Sequence, residues 1–285
     1  MKLTENVQKV YEGLTGFPKL RENLSGVLEL LSLRDDILAI GVKGSLMKQT
    51  ANEYSDIDLV AFVDNDCDIE DVKSEINKEV RNNFDVITDF TATHIGMNNL
   101  LIFFIRSADE VVKIDIDVAL LKDVAAKMHF MLLYSREQNF ADQMKTGYLK
   151  DEPDFADLHA KFTGWMWYTY TKIKRGELLE AADSISVMRS YAAVPCILFA
   201  AGLPVEGYRF IEKRLDAALL DKLRMSHPFS LSPDDLLSAL KNLVHIFKAV
   251  QPELQKQLKD DSYQRGNLQM MEQLLEKAER RNTTM

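Results

Sequence analysis

The sequence is poor in cysteine, in basic clusters and in long apolar runs, and each shortage removes a class of function. Cys67 and Cys196 are the two cysteines among 285 residues. They lie far apart, which argues against a disulfide framework or a cysteine-rich zinc site. Cys196, inside Val194-Pro195-Cys196-Ile197-Leu198, reads as a core residue. No apolar stretch approaches the roughly 20 residues of a membrane-spanning helix, and the opening MKLTENVQKVYEGL lacks the apolar centre of a signal peptide. The expectation is a cytoplasmic protein with no membrane partner. Lys and Arg number 35 against 44 Asp and Glu, a net charge of −9. Proteins that grip nucleic acid neutralise phosphates with clustered Lys and Arg. No such block is present, so nucleic acid is not an expected partner. An acidic surface favours a cationic small substrate instead.

What is present is a long, ordinary globular chain, 46% apolar and 28% charged, enough for two domains with cores. Apolar positions at helical spacing predict two helices over residues 4–33, broken at Gly16 and Pro18. Strands are expected at 37–43, 57–63, 84–90, 100–106 and 111–120, with an amphipathic helix at 69–83. The short polar turn Ser107-Ala108-Asp109-Glu110 predicts antiparallel pairing of the last two strands. After residue 121 the pattern turns helical, at Lys122–Tyr134, Phe155–Arg175, Leu178–Phe199, Tyr208–Leu223, Pro233–Ala249 and Asn267–Arg281. The expected fold is α+β. Residues 1–121 form a domain with a mixed sheet flanked by helices, and 122–285 an all-α helical bundle.

Residues 37–60, ILAIGVKGSLMKQTANEYSDIDLV, carry the chemistry. An apolar strand breaks at Gly44-Ser45, and a second apolar run carries Asp56 and Asp58. In a strand, residues i and i+2 share a face, so the two carboxylates project together. Side by side they repel unless a hard cation lies between them, and Mg²⁺ suits oxygen ligands and substrate phosphates. Gly44 lets the backbone approach a polyanion closely, and the N–H groups of the turn form an anion cradle.

Gly-Ser, a spacer and Asp-x-Asp on a strand resemble the active-site signature of the DNA polymerase β-type nucleotidyltransferase superfamily. That family adds a third carboxylate on a later strand. Here Asp115, in VVKIDIDVAL, has the setting most like it, and Asp117 on the same face is the reserve. Within the superfamily the chain most resembles the aminoglycoside and lincosamide nucleotidyltransferases. The resemblance implies one or two Mg²⁺ ions on Asp56, Asp58 and Asp115, and an NTP, with ATP expected, held by Gly44, Ser45 and Lys48. It further implies transfer of a nucleoside monophosphate to a small-molecule hydroxyl, with release of pyrophosphate. Asp115 would complete a metal site or act as general base. Lys43 flanks the phosphate turn, and His94 is a lone histidine in a loop, weighed against loop packing. One departure stands out: many relatives carry a glycine about five residues after that of Gly-Ser, where this chain has Gln49. Transfer to a protein or RNA acceptor and a non-catalytic nucleotide-binding module are the alternatives. Trp165, Trp167, Tyr168 and Tyr170 cannot all face one core, so a homodimer surface or a substrate wall is expected on that helix.

Overall fold

The computed structural model describes residues 3–124, 130–136, 140, 153–205, 207–258, 264 and 266–283. The chain divides into two compact units, Met1–Lys150 and Asp151–Met285. The first opens with helices α1 (Glu5–Gly13) and α2 (Pro18–Leu33), the latter started by a proline, whose missing N–H is harmless in a first turn. Strand β1 (Ile37–Val42) leads through a single helical turn, α3 (Gly44–Met47), to β2 (Ile57–Val63). Helix α4 (Ile69–Asn83) follows, its N-cap Asp68 accepting from the Glu70 N–H and its first turn acidic, as the helix dipole favours. Strands β3 (Val86–Thr91), β4 (Leu100–Ser107), β5 (Glu110–Leu120) and β6 (Met131–Ser135) complete a six-stranded sheet of order β3-β4-β5-β2-β1-β6. Neighbouring strands are antiparallel except β2 and β5, which run parallel at the centre.

The two faces of that sheet differ. Ile57, Leu59, Ala61 and Val63 of β2 and Val112, Ile114, Ile116 and Val118 of β5 are buried in one core with the helices. Leu24, Leu28, Leu31, Ile76 and Val80 of α2 and α4 belong to the same core. The other face carries Asp58, Lys113, Asp115 and Asp117 toward one end and a smaller apolar cluster toward the other. In that cluster the ring of Phe62 lies 5.1 Å from Phe130 and 5.4 Å from Phe140. Packing there is close: a Cβ on Gly41 would stand 2.2 Å from the Phe130 ring.

The sixth strand corrects the sequence expectation. Lys122–Tyr134 reads as a helix, but Leu121–Asp123 is a 3₁₀ turn and Met131–Ser135 pairs with β1; residues 125–129 of that segment lie outside the described residues. A short apolar run such as Phe130-Met131-Leu132-Leu133-Tyr134 has no periodicity to separate strand from helix. The unpaired edge of β1 decides it.

The second unit is helical: α5 (Phe155–Arg175), α6 (Leu178–Val187), a π-helical segment (Met188–Ala193), α7 (Val194–Ala200), α8 (Ile211–Arg214), α9 (Ala217–Met225), α10 (Pro233–Leu258) and α11 (Leu268–Thr283). The single helix expected over Tyr208–Leu223 is two, because Asp216 leaves the helix and caps α9 by accepting from the Leu219 N–H. Cys196 is fully buried, and that burial pushes its thiol pKa up to about 12. Tyr170 of the aromatic segment is buried in the core, whereas Trp167 and Tyr168 are more than 40% exposed. Among the described residues no helix is long and apolar enough to cross a membrane.

Candidate active site

The parallel pairing of β2 with β5 builds the site. Register places Asp58 opposite Asp115 and Ile57 opposite Ile114. One step earlier, Asp56 stands level with Lys113. Side chains on one face of adjacent strands lie close enough to interact, and here a separation of 57 residues in sequence becomes a contact. One carboxylate oxygen from each of Asp56, Asp58 and Asp115 lies within 4.8 Å of the other two. The phosphate turn is tied to the same strand: the Lys43 N–H donates to the Asp58 carbonyl at 2.8 Å.

Three acids at this spacing need positive charge. Lys113 supplies one: its Nζ donates to Asp115 Oδ2 at 2.6 Å and to Asp56 Oδ2 at 3.1 Å. Burial works against the Lys113 ammonium, yet hydrogen bonds and charge from Asp115 and Asp56 together raise its pKa. Burial also raises the pKa of Asp115, outweighing the single ammonium it shares; the Asp56 charge adds in the same direction. The second oxygen of Asp115, Oδ1, is buried with no hydrogen-bond partner. A buried carboxylate oxygen left bare is costly unless something binds it. A hard divalent cation in the midst of three carboxylates fits that requirement, and the donor set is all oxygen, as Mg²⁺ prefers.

The expected phosphate-binding residues sit beside the triad in the chain path. Gly44 takes φ of 61°, a left-handed conformation in which a side chain would be strained. Ser45 is buried and its Oγ has no partner. Gln49 adopts φ of 55°, so the glutamine takes the conformation a glycine would hold there. Lys48 closes the turn and is exposed. Lys43 Nζ pairs with Asp117 at 2.8 Å, and Asp117 is almost wholly buried. Asp117 is therefore engaged one register step beyond the triad, level with Val60. His94 is exposed after β3, at the sheet edge, its ring 5.9 Å from Phe90. Its described contact is an aromatic ring. Lys113 is the residue that sequence reading passes over, since only the register reveals that it bridges two of the acids.

No protein-family model matches this chain, and no curated protein does. Among solved structures it is similar to a nucleotidyltransferase-like protein from Exiguobacterium sibiricum 255-15, at 12% identity over 83% of this chain and 77% of that one, with a TM-score of 0.40. The cyclic dinucleotide synthase CdnE of Elizabethkingia meningoseptica, solved with GTP and Apcpp, is similar at 11% identity, 84% and 82% coverage and a TM-score of 0.30. The CdnC chain of a CdnC:HORMA-deltaN complex from E. coli MS115-1 is similar at 14% identity, 94% coverage of both chains and a TM-score of 0.28. The case for a function therefore rests on the site's own geometry.

Two hollows lie near these strands. The larger, about 1000 Å³, sits between α2 and α4 at the β4–β5 turn, where Arg34 is tied to Asp36 and Glu79 and Arg106 to Asp85. The smaller, about 450 Å³, borders Asp56 and Lys113 and is lined by Phe17, Glu53, Tyr54 and Glu110. Of the two, the smaller one reaches the triad, at Asp56.

Proposed function

We propose that this chain is a Mg²⁺-dependent nucleotidyltransferase that moves a nucleoside monophosphate, AMP in the first instance, from an NTP to a small-molecule hydroxyl and releases pyrophosphate. The observation that carries this reading is the convergence of Asp56, Asp58 and Asp115 with an unpartnered buried oxygen among them. Asp56, Asp58 and Asp115 hold the metal. Mg²⁺ bound there supplies Lewis-acid charge to the phosphates. Gly44 and Ser45 cradle the triphosphate through backbone N–H groups and the Ser45 hydroxyl, with Lys48 at the rim. Lys43, fixed by Asp117, orients the turn. The acceptor oxygen attacks the α-phosphorus, the bond to pyrophosphate breaks, and the hydroxyl proton passes to Asp115, the carboxylate on the neighbouring strand. Glu53 in the adjoining cavity, with Phe17 and Tyr54, matches a cationic, partly apolar acceptor such as an aminoglycoside-like or lincosamide-like aminosugar.

Calorimetric titration of ATP, GTP, CTP and UTP with and without Mg²⁺, beside the Asp56→Ala/Asp58→Ala variant, tests the reading. Metal-dependent binding of one nucleotide, lost in the variant, is expected. Binding of no nucleotide would favour a non-catalytic module. Mass analysis of reaction mixtures then separates a small hydroxyl acceptor from a second nucleotide, a protein or an RNA.

A further inference from the structure

We propose that Lys113 is a displaceable internal cation: it holds the carboxylate site in the metal-free protein and must leave when the metal enters. This inference rests on the metal reading of the three acids. Lys113 Nζ occupies Asp56 Oδ2 at 3.1 Å and Asp115 Oδ2 at 2.6 Å, oxygens of two of the three proposed ligands. A metal coordinates such oxygens at about 2.0–2.1 Å. A divalent cation held by the same three carboxylates would stand within a few ångströms of that ammonium whichever oxygens it used, and the two would repel each other. Loading therefore competes with the lysine.

The way out is open. The Lys113 side chain is 30% exposed, and it borders the 450 Å³ cavity, where Glu53 offers a carboxylate to a released ammonium. Lys113 thus raises the concentration of free metal needed to fill the site. A nucleotide that arrives with its metal brings negative charge, which offsets the loss of the Lys113 ion pairs. The lysine would make the site selective for metal–nucleotide over metal alone.

Mn²⁺ titration of the full chain without nucleotide, followed by electron paramagnetic resonance, tests this in four proteins: wild type, Lys113→Met, Lys19→Met and Asp56→Ala/Asp58→Ala. Lys19 pairs with Glu110 at 2.6 Å on the cavity rim and controls for loss of a nearby positive charge. Lys113→Met is expected to bind Mn²⁺ at least about tenfold more tightly than wild type, and Lys19→Met within about twofold of it. Equal or weaker binding by Lys113→Met, or an equal gain in Lys19→Met, overturns the role of Lys113 while leaving the metal site standing if the double aspartate variant still loses Mn²⁺. Absence of Mn²⁺ binding in every protein overturns both readings. A measurement on the wild type alone guards against misfolding of the variant. Reductive methylation read by mass spectrometry should label Lys113 severalfold more with Mg²⁺ than without, with Lys43 unchanged. No rise in labelling also overturns the proposal.

Discussion

The same two strands, β2 and β5, present opposite faces with opposite logic. On the helix-covered face, Ile57, Leu59, Ile114 and Ile116 are at most 1% exposed and pack as a core. On the other, Asp58, Lys113 and Asp115 alternate with them, charge against charge, with one carboxylate oxygen left unpartnered. Burying apolar groups stabilises the fold, whereas clustering carboxylates opposes it. The charged face is therefore not one that stabilises the fold. Alternation along a strand lets one segment do both tasks, since replacing a residue changes one face and leaves the other.

The largest effect that tests this separation is on the charged face. Asp58→Ala is expected to lower nucleotidyl transfer about a thousandfold, the scale on which removing a transition-state charge stabiliser acts, while the melting temperature stays within about 3 °C of wild type. Steady-state turnover and calorimetry together check it. A large fall in melting temperature would break the comparison by making Asp58 a structural residue. One step smaller is the converse change. Ile114→Ala, between Lys113 and Asp115 in sequence but pointing into the core, should cost about 3 kcal/mol of stability. The folded fraction should still bind metal–nucleotide with unchanged affinity, read by urea titration and calorimetry.

Smaller again is Ser45→Ala, where the two quantities should move in opposite directions. The Ser45 hydroxyl is buried without a partner, so its removal should stabilise the free protein by about 1 kcal/mol. If that hydroxyl binds phosphate, nucleotide affinity should fall about tenfold, or about 1.4 kcal/mol. A loss of stability with unchanged affinity would make Ser45 a packing residue.

Much of this was legible in the sequence, and the physics says which part. Asp56 and Asp58 are two residues apart, the first just before β2 and the second within it, and period-two alternation of the extended chain predicts a common face. Asp115 came from resemblance to the family's third acid, and register then set it opposite Asp58. Lys113 was not legible as a partner of Asp56, because parallel register joins residues 57 apart and no local pattern encodes it. Strand β6 was hidden for a related reason: Met131–Ser135 owes its conformation to the edge of β1, a tertiary effect that overrides a short ambiguous run. The helical unit was easier, since long periodic segments such as Phe155–Arg175 carry their own start and stop signals, here Asp154 at the N-cap and left-handed Gly176 at the C-cap.

The smallest effect concerns the loop between β1 and β2, where Gln49 holds a left-handed backbone position. Its φ of 55° shows that the backbone keeps the left-handed turn with a side chain in place. Such a conformation costs a non-glycine residue roughly 1–2 kcal/mol, while glycine adds unfolded-state freedom worth about 0.5–1 kcal/mol. The two nearly cancel, so Gln49→Gly should stabilise the protein by less than about 1 kcal/mol in urea titrations. Nucleotide affinity should stay unchanged, because the turn is held independently by the Thr50 N–H donating to the Ser45 carbonyl at 3.0 Å. A change in affinity beyond about threefold, or about 0.65 kcal/mol, would mean that the Gln49 side chain itself reaches the ligand. The phosphate loop would then use a glutamine side chain as well as its backbone.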